Sequence, residues 1–167
     1  MLAPLAGCGP GRISAGDAKL PQDDGSAGFL DRLSSQVTVS ENDAMRGVLM
    51  LLEGSDQCAG FGERVAKLQA RNVVPRYWDL QASRPITRGR LAYMIYQAAK
   101  VPGGVVLTIT GPTERYCLRE LEYRGFVTSS NVFGEVTGSE YVAVLSRADT
   151  YIRTGSLPEI MTREPTD

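Results

Sequence analysis

Apolar residues recur along the chain at spacings of three and four, and they do so in the same phase in three places. Counting from Ser40, the positions four, seven, eight and eleven further on are Ala44, Gly47, Val48 and Leu51. From Thr87 the same offsets reach Leu91, Met94, Ile95 and Ala98, and from Thr137 they reach Tyr141, Val144, Leu145 and Ala148. That period is the signature of an amphipathic helix. Ser40, Thr87 and Thr137 each precede their stripe at the place where a side-chain oxygen caps the first free N–H groups. Three capped helices at near-equal intervals therefore open at these residues.

Two shorter stripes lie between them. Residues 64–74 and 117–127 superpose when Leu68 is set on Leu121, which also sets Val65 on Leu118, Arg71 on Arg124, Val73 on Phe126 and Val74 on Val127. Each stripe ends at a residue that tolerates the left-handed conformation, Asn72 in one and Gly125 in the other. The chain thus reads as half a unit followed by two full helix-loop-helix units. Pro102-Gly103-Gly104 interrupts the pattern. The run Val105 to Thr110 then has strand composition, and Gly111-Pro112 closes it. The expected fold is mainly α, a small helical bundle of repeated helix pairs with one short strand at 105–110.

A helix carrying Val65 and Leu68, a loop with Val73 and Val74, then Ile86-Thr87-Arg88-Gly89-Arg90-Leu91-Ala92 opening a second helix resembles the S-layer homology repeat. The resemblance covers residues 55–100 and, more faintly, 112–152, with helix 40–53 as the remnant of a third unit. It implies three units about a pseudo-threefold axis, one helix of each in a central bundle, and attachment to acidic cell-wall polysaccharide. The family motif pairs Thr-Arg with a Glu two residues beyond the Arg. Here the first full unit has Thr87 and Arg88, with Arg90 where Glu is expected. The second has Thr137 and Glu140, with Gly138 in place of Arg. The earliest has Ser40 and Asp43.

On this resemblance Thr87, Arg88 and Arg90 are the candidate ligand contacts, joined by Trp78 in the loop beside Arg76 and Tyr77. A guanidinium takes a carboxylate in two-pronged fashion, and a helix N-terminus welcomes an anion. Arginine in a first helical turn also opposes the helix dipole, which calls for a compensating anion. The competing reading is structural. Glu140 and Asp43 then complete capping boxes, Trp78 closes the core over its helix pair, and Tyr93 and Tyr96 pack on a helix face.

Composition narrows the functional classes. The 167 residues carry a net charge of −1, and no histidine is present. This removes the commonest general base and the commonest zinc ligand. Three cysteines, Cys8, Cys58 and Cys117, form no Cys-x-x-Cys pair. No metal, cofactor or catalytic residue is implied, and no nucleic acid is expected as a partner. Leu5-Ala6-Gly7-Cys8 resembles the bacterial lipobox, which makes Cys8 the candidate lipidation site and the membrane its anchor. Only seven residues precede Cys8 and none is basic, so either the start lies upstream of Met1 or the match is coincidental. Residues 1–8 then read as a signal remnant, 9–37 as a flexible tether, 38–153 as the folded domain and 154–167 as a disordered tail. Cys58 and Cys117 remain as an even pair that can form a disulfide, with two buried free thiols the preferred reading.

The leading expectation is a non-catalytic binding or scaffold module of the bacterial cell envelope, contacting wall polysaccharide or another envelope protein. A DNA-binding helix-turn-helix built on Arg84, Arg88 and Arg90 is the alternative. It needs a turn of about three or four residues, and the stretch from Asn72 to Ile86 is several times longer. An enzyme is a further alternative, although no two acids are placed to cooperate and no phosphate-binding loop is present.

Overall fold

A computed structural model describes residues 26–128 and 131–157. Within them lie seven helices: α1 (Ser26–Ser34), α2 (Glu41–Glu53), α3 (Phe61–Ala70), α4 (Arg88–Ala98), α5 (Val105–Thr110), α6 (Glu114–Tyr123) and α7 (Gly138–Thr154). The mainly helical fold follows the apolar periodicity, and the caps fall where that pattern put them. The side chains of Ser40, Thr87 and Thr137 accept from the backbone N–H of Asp43, Arg90 and Glu140. Asn72 and Gly125 both have positive φ, at 57° and 80°.

α2, α4 and α7 form the centre, with α2 packed against both of the others. Their stripes are buried: Ala44, Met45 and Val48 on α2, Leu91, Met94 and Ile95 on α4, and Tyr141, Val144 and Ala148 on α7. The outer helices do not pack mainly on their own partners. α3 lies on α2, α6 on α4, and α1 on α7. Each unit therefore lays its first helix over the central helix of the unit before it, and the cycle closes when α1 covers α7. No helix pair can bury its apolar face alone, so the three units stand or fall together.

Two expectations are corrected here. The tether assigned to 9–37 ends by Ser26, because α1 occupies Ser26–Ser34. Phe29 and Leu33, one turn apart, are buried against α7. The averaged polar composition of that stretch concealed this pair. α1 also supplies the first helix of the earliest unit, so the repeat is three full units rather than two and a half. The strand at 105–110 is instead the helix α5. A lone strand has no partner edge for its amides, whereas helical amides are satisfied locally: Thr108 N–H donates to Gly104 O at 3.1 Å and Gly111 N–H to Leu107 O at 3.0 Å. Packing context overrides β-propensity in so short a run. Of the remaining boundaries, 1–8 with Cys8 and most of the tail from 154 lie outside the described residues. Among the described residues no helix is long and apolar enough to cross a membrane.

Asp56 holds the turn between α2 and α3. Its Oδ2 accepts from Arg64 Nε at 2.6 Å and its Oδ1 from Cys58 N–H at 3.1 Å. Arg64 Nη1 reaches Asn42 on α2 at 2.9 Å. Burial pushes the Asp56 carboxyl up, but the hydrogen bonds from Arg64 and Cys58 and the Arg64 charge together hold it below its ordinary value. Such a group contributes stability that is fully present above the unfolded carboxyl pKa of about 3.9. That contribution is lost as pH falls through the lower folded value. Asp56→Asn is expected to lower the urea midpoint at pH 7 and to flatten the decline in stability below about pH 4. An acid limb identical to wild type in urea titrations at several pH values would show that Asp56 carries no proton-linked stability.

Candidate functional site

The N-terminal ends of α2, α4 and α7 meet in a closed ring. Val39 N–H donates to Val136 O at 2.9 Å, Val136 N–H to Ile86 O at 3.2 Å, and Ile86 N–H to Val39 O at 2.8 Å. Each of these residues stands just before a cap, and all three are buried. A second ring surrounds the first. The first-turn amides of Glu41, Arg88 and Gly138 donate to Arg84 O, Gly134 O and Gln36 O at 2.8, 2.8 and 3.0 Å. Each acceptor belongs to the loop of the next unit in the cycle. Gly89 N–H likewise donates to Val132 O at 2.9 Å. The free amides that would make the α4 N-terminus an anion site are therefore spent on the protein itself.

Side chains follow the same cyclic rule. The residue one past the cap in one unit pairs with the residue three past the cap in the next. Arg88 donates to Glu140 through Nε at 2.6 Å and Nη2 at 2.9 Å, a two-pronged pair 52 positions apart in sequence. Its hydrogen bond to Glu140 raises the Arg88 pKa, burial opposes this, and the Glu140 charge adds to the rise. Glu41 and Arg90 form the corresponding pair with the charges exchanged: Arg90 Nη1 donates to Glu41 Oε1. Glu41 is only 1 % exposed, and its other oxygen accepts from Gln81 N–H at 2.7 Å. The third position of the cycle is Gly138. A Cβ built there would overlap the carbonyl oxygen of Leu33, at the end of α1. Asp43, which would face it, accepts instead from its own cap Ser40 Oγ at 2.8 Å.

Thr87 caps α4 and is half-buried, its Oγ1 accepting from Arg90 N–H at 3.3 Å. Arg88 and Arg90 turn to different neighbouring units. Trp78 joins Arg90 rather than Arg88. Arg90 Cζ sits 5.2 Å from the centre of the indole, and Tyr93 meets the ring edge-on at 5.4 Å. The indole is 8 % exposed, and its Nε1 has no hydrogen-bond partner among the described residues. It closes the core in the manner of the structural reading. Glu114 stands 4.0 Å from Arg90 Nε. Burial raises its pKa against the opposing Arg90 charge.

Arg88 and Glu140 line a cleft of about 380 Å³ between the second and third units, with Thr128, Ser139, Val144 and Arg147. Arg147 is anchored by donating to Phe126 O at 2.8 Å. Arg88 Nη1 packs against the backbone of Gly134. Arg84, Arg88 and Arg90, the arginines of the helix-turn-helix alternative, are each paired with a carboxylate: Asp79, Glu140 and Glu41. Cys58 and Cys117 are free and buried, as the preferred reading expected. Burial pushes the Cys117 thiol up to about 12, and the Cys58 thiol also rises. Both are therefore protonated at neutral pH and poor nucleophiles.

Sequence reasoning missed Glu41 and Arg147, and read Gly138 only as a lost arginine. Glu41 was within reach, since it stands, like Gly138, at the motif position that Arg88 fills. Read by position, an acid at 41 and a base at 90 form a reversed pair. Comparison with protein-family models, with curated proteins and with solved structures found no match.

Proposed function

We propose that this chain is a non-catalytic binding module of the bacterial cell envelope, an S-layer-homology-like trefoil that takes an acidic saccharide in the cleft of Arg88, Glu140 and Arg147. The observation that supports it is the polar cleft between units, lined by Arg88 and Arg147, each held in place by a protein acceptor. Pre-fixed guanidinium groups lose little entropy on meeting a carboxylate. In this reading Cys8 carries the lipid, and the residues that follow it tether the trefoil to the membrane.

The test is co-sedimentation of the protein with isolated envelope saccharide. Arg147→Ala and the double variant Arg88→Ala/Glu140→Ala are both expected to lose retention about tenfold, the scale of one charge-assisted hydrogen bond. The double variant avoids leaving Glu140 unpaired. Wild-type retention in both, with circular dichroism unchanged, would move the site elsewhere or remove saccharide from consideration.

A further inference from the structure

Helix α6 carries Arg115, Arg119 and Tyr123 at four-residue spacing, and hence along one face. All three are exposed. Most arginines of the described chain sit against a carboxylate, as Arg64, Arg71 and Arg124 do. Arg115 and Arg119 have no such partner among the described residues, and like charges one turn apart repel. They line a cavity of about 490 Å³ with Glu122, Asn131, Val132 and Phe133. Phe133 is 81 % exposed. Its backbone is fixed in an Asx turn in which Asn131 Oδ1 accepts the Phe133 N–H at 3.1 Å.

The repeat itself does not call for this surface. Setting Leu68 of α3 on Leu121 of α6 places Gly62, Ala66 and Ala70 where α6 has Arg115, Arg119 and Tyr123. The corresponding face of α3 is small and uncharged, and the fold tolerates it. Arg115, Arg119 and Tyr123 thus have no counterpart on α3. They share no residue with the Arg88 cleft.

We propose that this face of α6, with the turn at 131–133, is a second saccharide subsite, selective for a carboxylate-bearing glycan. It rests on the reading of the chain as an acidic-saccharide binder. Two guanidinium groups take the carboxylates. Phe133 offers a flat apolar face to a sugar ring, and Asn131 and Glu122 are suited to its hydroxyls. That combination of an open cavity, an exposed aromatic ring and mixed polar groups fits a sugar. The stripe spans about 12 Å at 1.5 Å per residue, the length of two to three sugar residues.

The experiment follows the backbone and arginine Nε–H resonances of the full chain during titration at physiological salt. The probes are tetragalacturonate, neutral maltotetraose and inorganic polyphosphate. Tetragalacturonate is expected to shift Arg115, Arg119, Asn131 and Phe133, with maltotetraose silent and polyphosphate weaker. Arg115→Glu/Arg119→Glu should weaken this binding at least about tenfold. Phe133→Ala should weaken it several-fold with the charge unchanged. Affinity within twofold of wild type in either variant overturns the subsite, as does stronger binding of polyphosphate. Shifts confined to Arg88 and Arg147 also overturn it while sustaining the cleft. Shifts on α6 that persist in Arg88→Ala/Glu140→Ala, with the cleft silent, sustain the subsite and sink the cleft.

Discussion

Replacing Gly138 with alanine is expected to destabilise the protein by about 3 kcal/mol or more, the upper end of what overpacking costs. The first turn of α7 lies directly on the backbone of α1. A Cβ at Gly138 would overlap the Leu33 carbonyl oxygen, lie 2.9 Å from its carbon and come 3.1 Å from Gln36 N. These are main-chain atoms and cannot swing aside as a flexible side chain would. The Gly138 N–H to Gln36 O bond at 3.0 Å would be lost with any retreat. Gly138→Arg, which restores the Thr-Arg pair of the S-layer homology motif, should be worse and should release α1 altogether. Urea unfolding measures the first effect, and amide hydrogen exchange at 29–36 measures the second. Gly62→Ala is the control, because α3 has open space there. It should be neutral or mildly stabilising, by up to about 1 kcal/mol. A Gly138→Ala variant within about 0.5 kcal/mol of wild type, the size of an ordinary surface effect, would mean that the first turn of α7 does not rest on the α1 backbone.

Arg90→Ala is expected to cost about 3–5 kcal/mol, the range for stranding a buried charge. Glu41 would keep its Gln81 N–H but lose the guanidinium paired with it, and Trp78 would lose the same guanidinium from its ring face. The double variant Glu41→Ala/Arg90→Ala should be no worse than Arg90→Ala alone, since the buried Glu41 carboxylate is no longer left without its partner. A double-mutant cycle by urea unfolding measures this, with coupling of about 2 kcal/mol expected for such a pair. Strict additivity would mean that the two groups do not interact. Trp78 is the only tryptophan in the chain, so its emission reports the same change without a label. It should shift in Arg90→Ala and stay fixed in Arg88→Ala.

Together the two results bear on how the repeat is read. Taken one unit at a time, the motif looks broken in all three: Arg90 replaces an acid, Gly138 replaces an arginine, and the earliest unit has no arginine in its motif. Taken around the cycle, each departure has a partner. Arg90 answers Glu41, Arg88 answers Glu140, and Gly138 makes room for α1. The capping-box reading of Glu140 is correspondingly only half of its role. Its N–H is capped by Thr137, while its carboxylate belongs to Arg88.

What the sequence determined by itself is local. The capped starts at Ser40, Thr87 and Thr137, the stops at Asn72 and Gly125, and the inward stripes of the central helices all depend on residues within a turn or two of one another. The sequence carries them wherever the rest of the chain goes. α1 was overlooked through averaging, although Phe29 and Leu33 were there to be seen. Only the tertiary structure decided which helix covers which, that α5 is not a strand, and that Arg88 and Arg90 serve opposite neighbours. Those outcomes depend on partners 52 and 49 positions away, and on main-chain atoms of another unit at Gly138. A spacing rule within one unit cannot register a contact whose other half lies in the next.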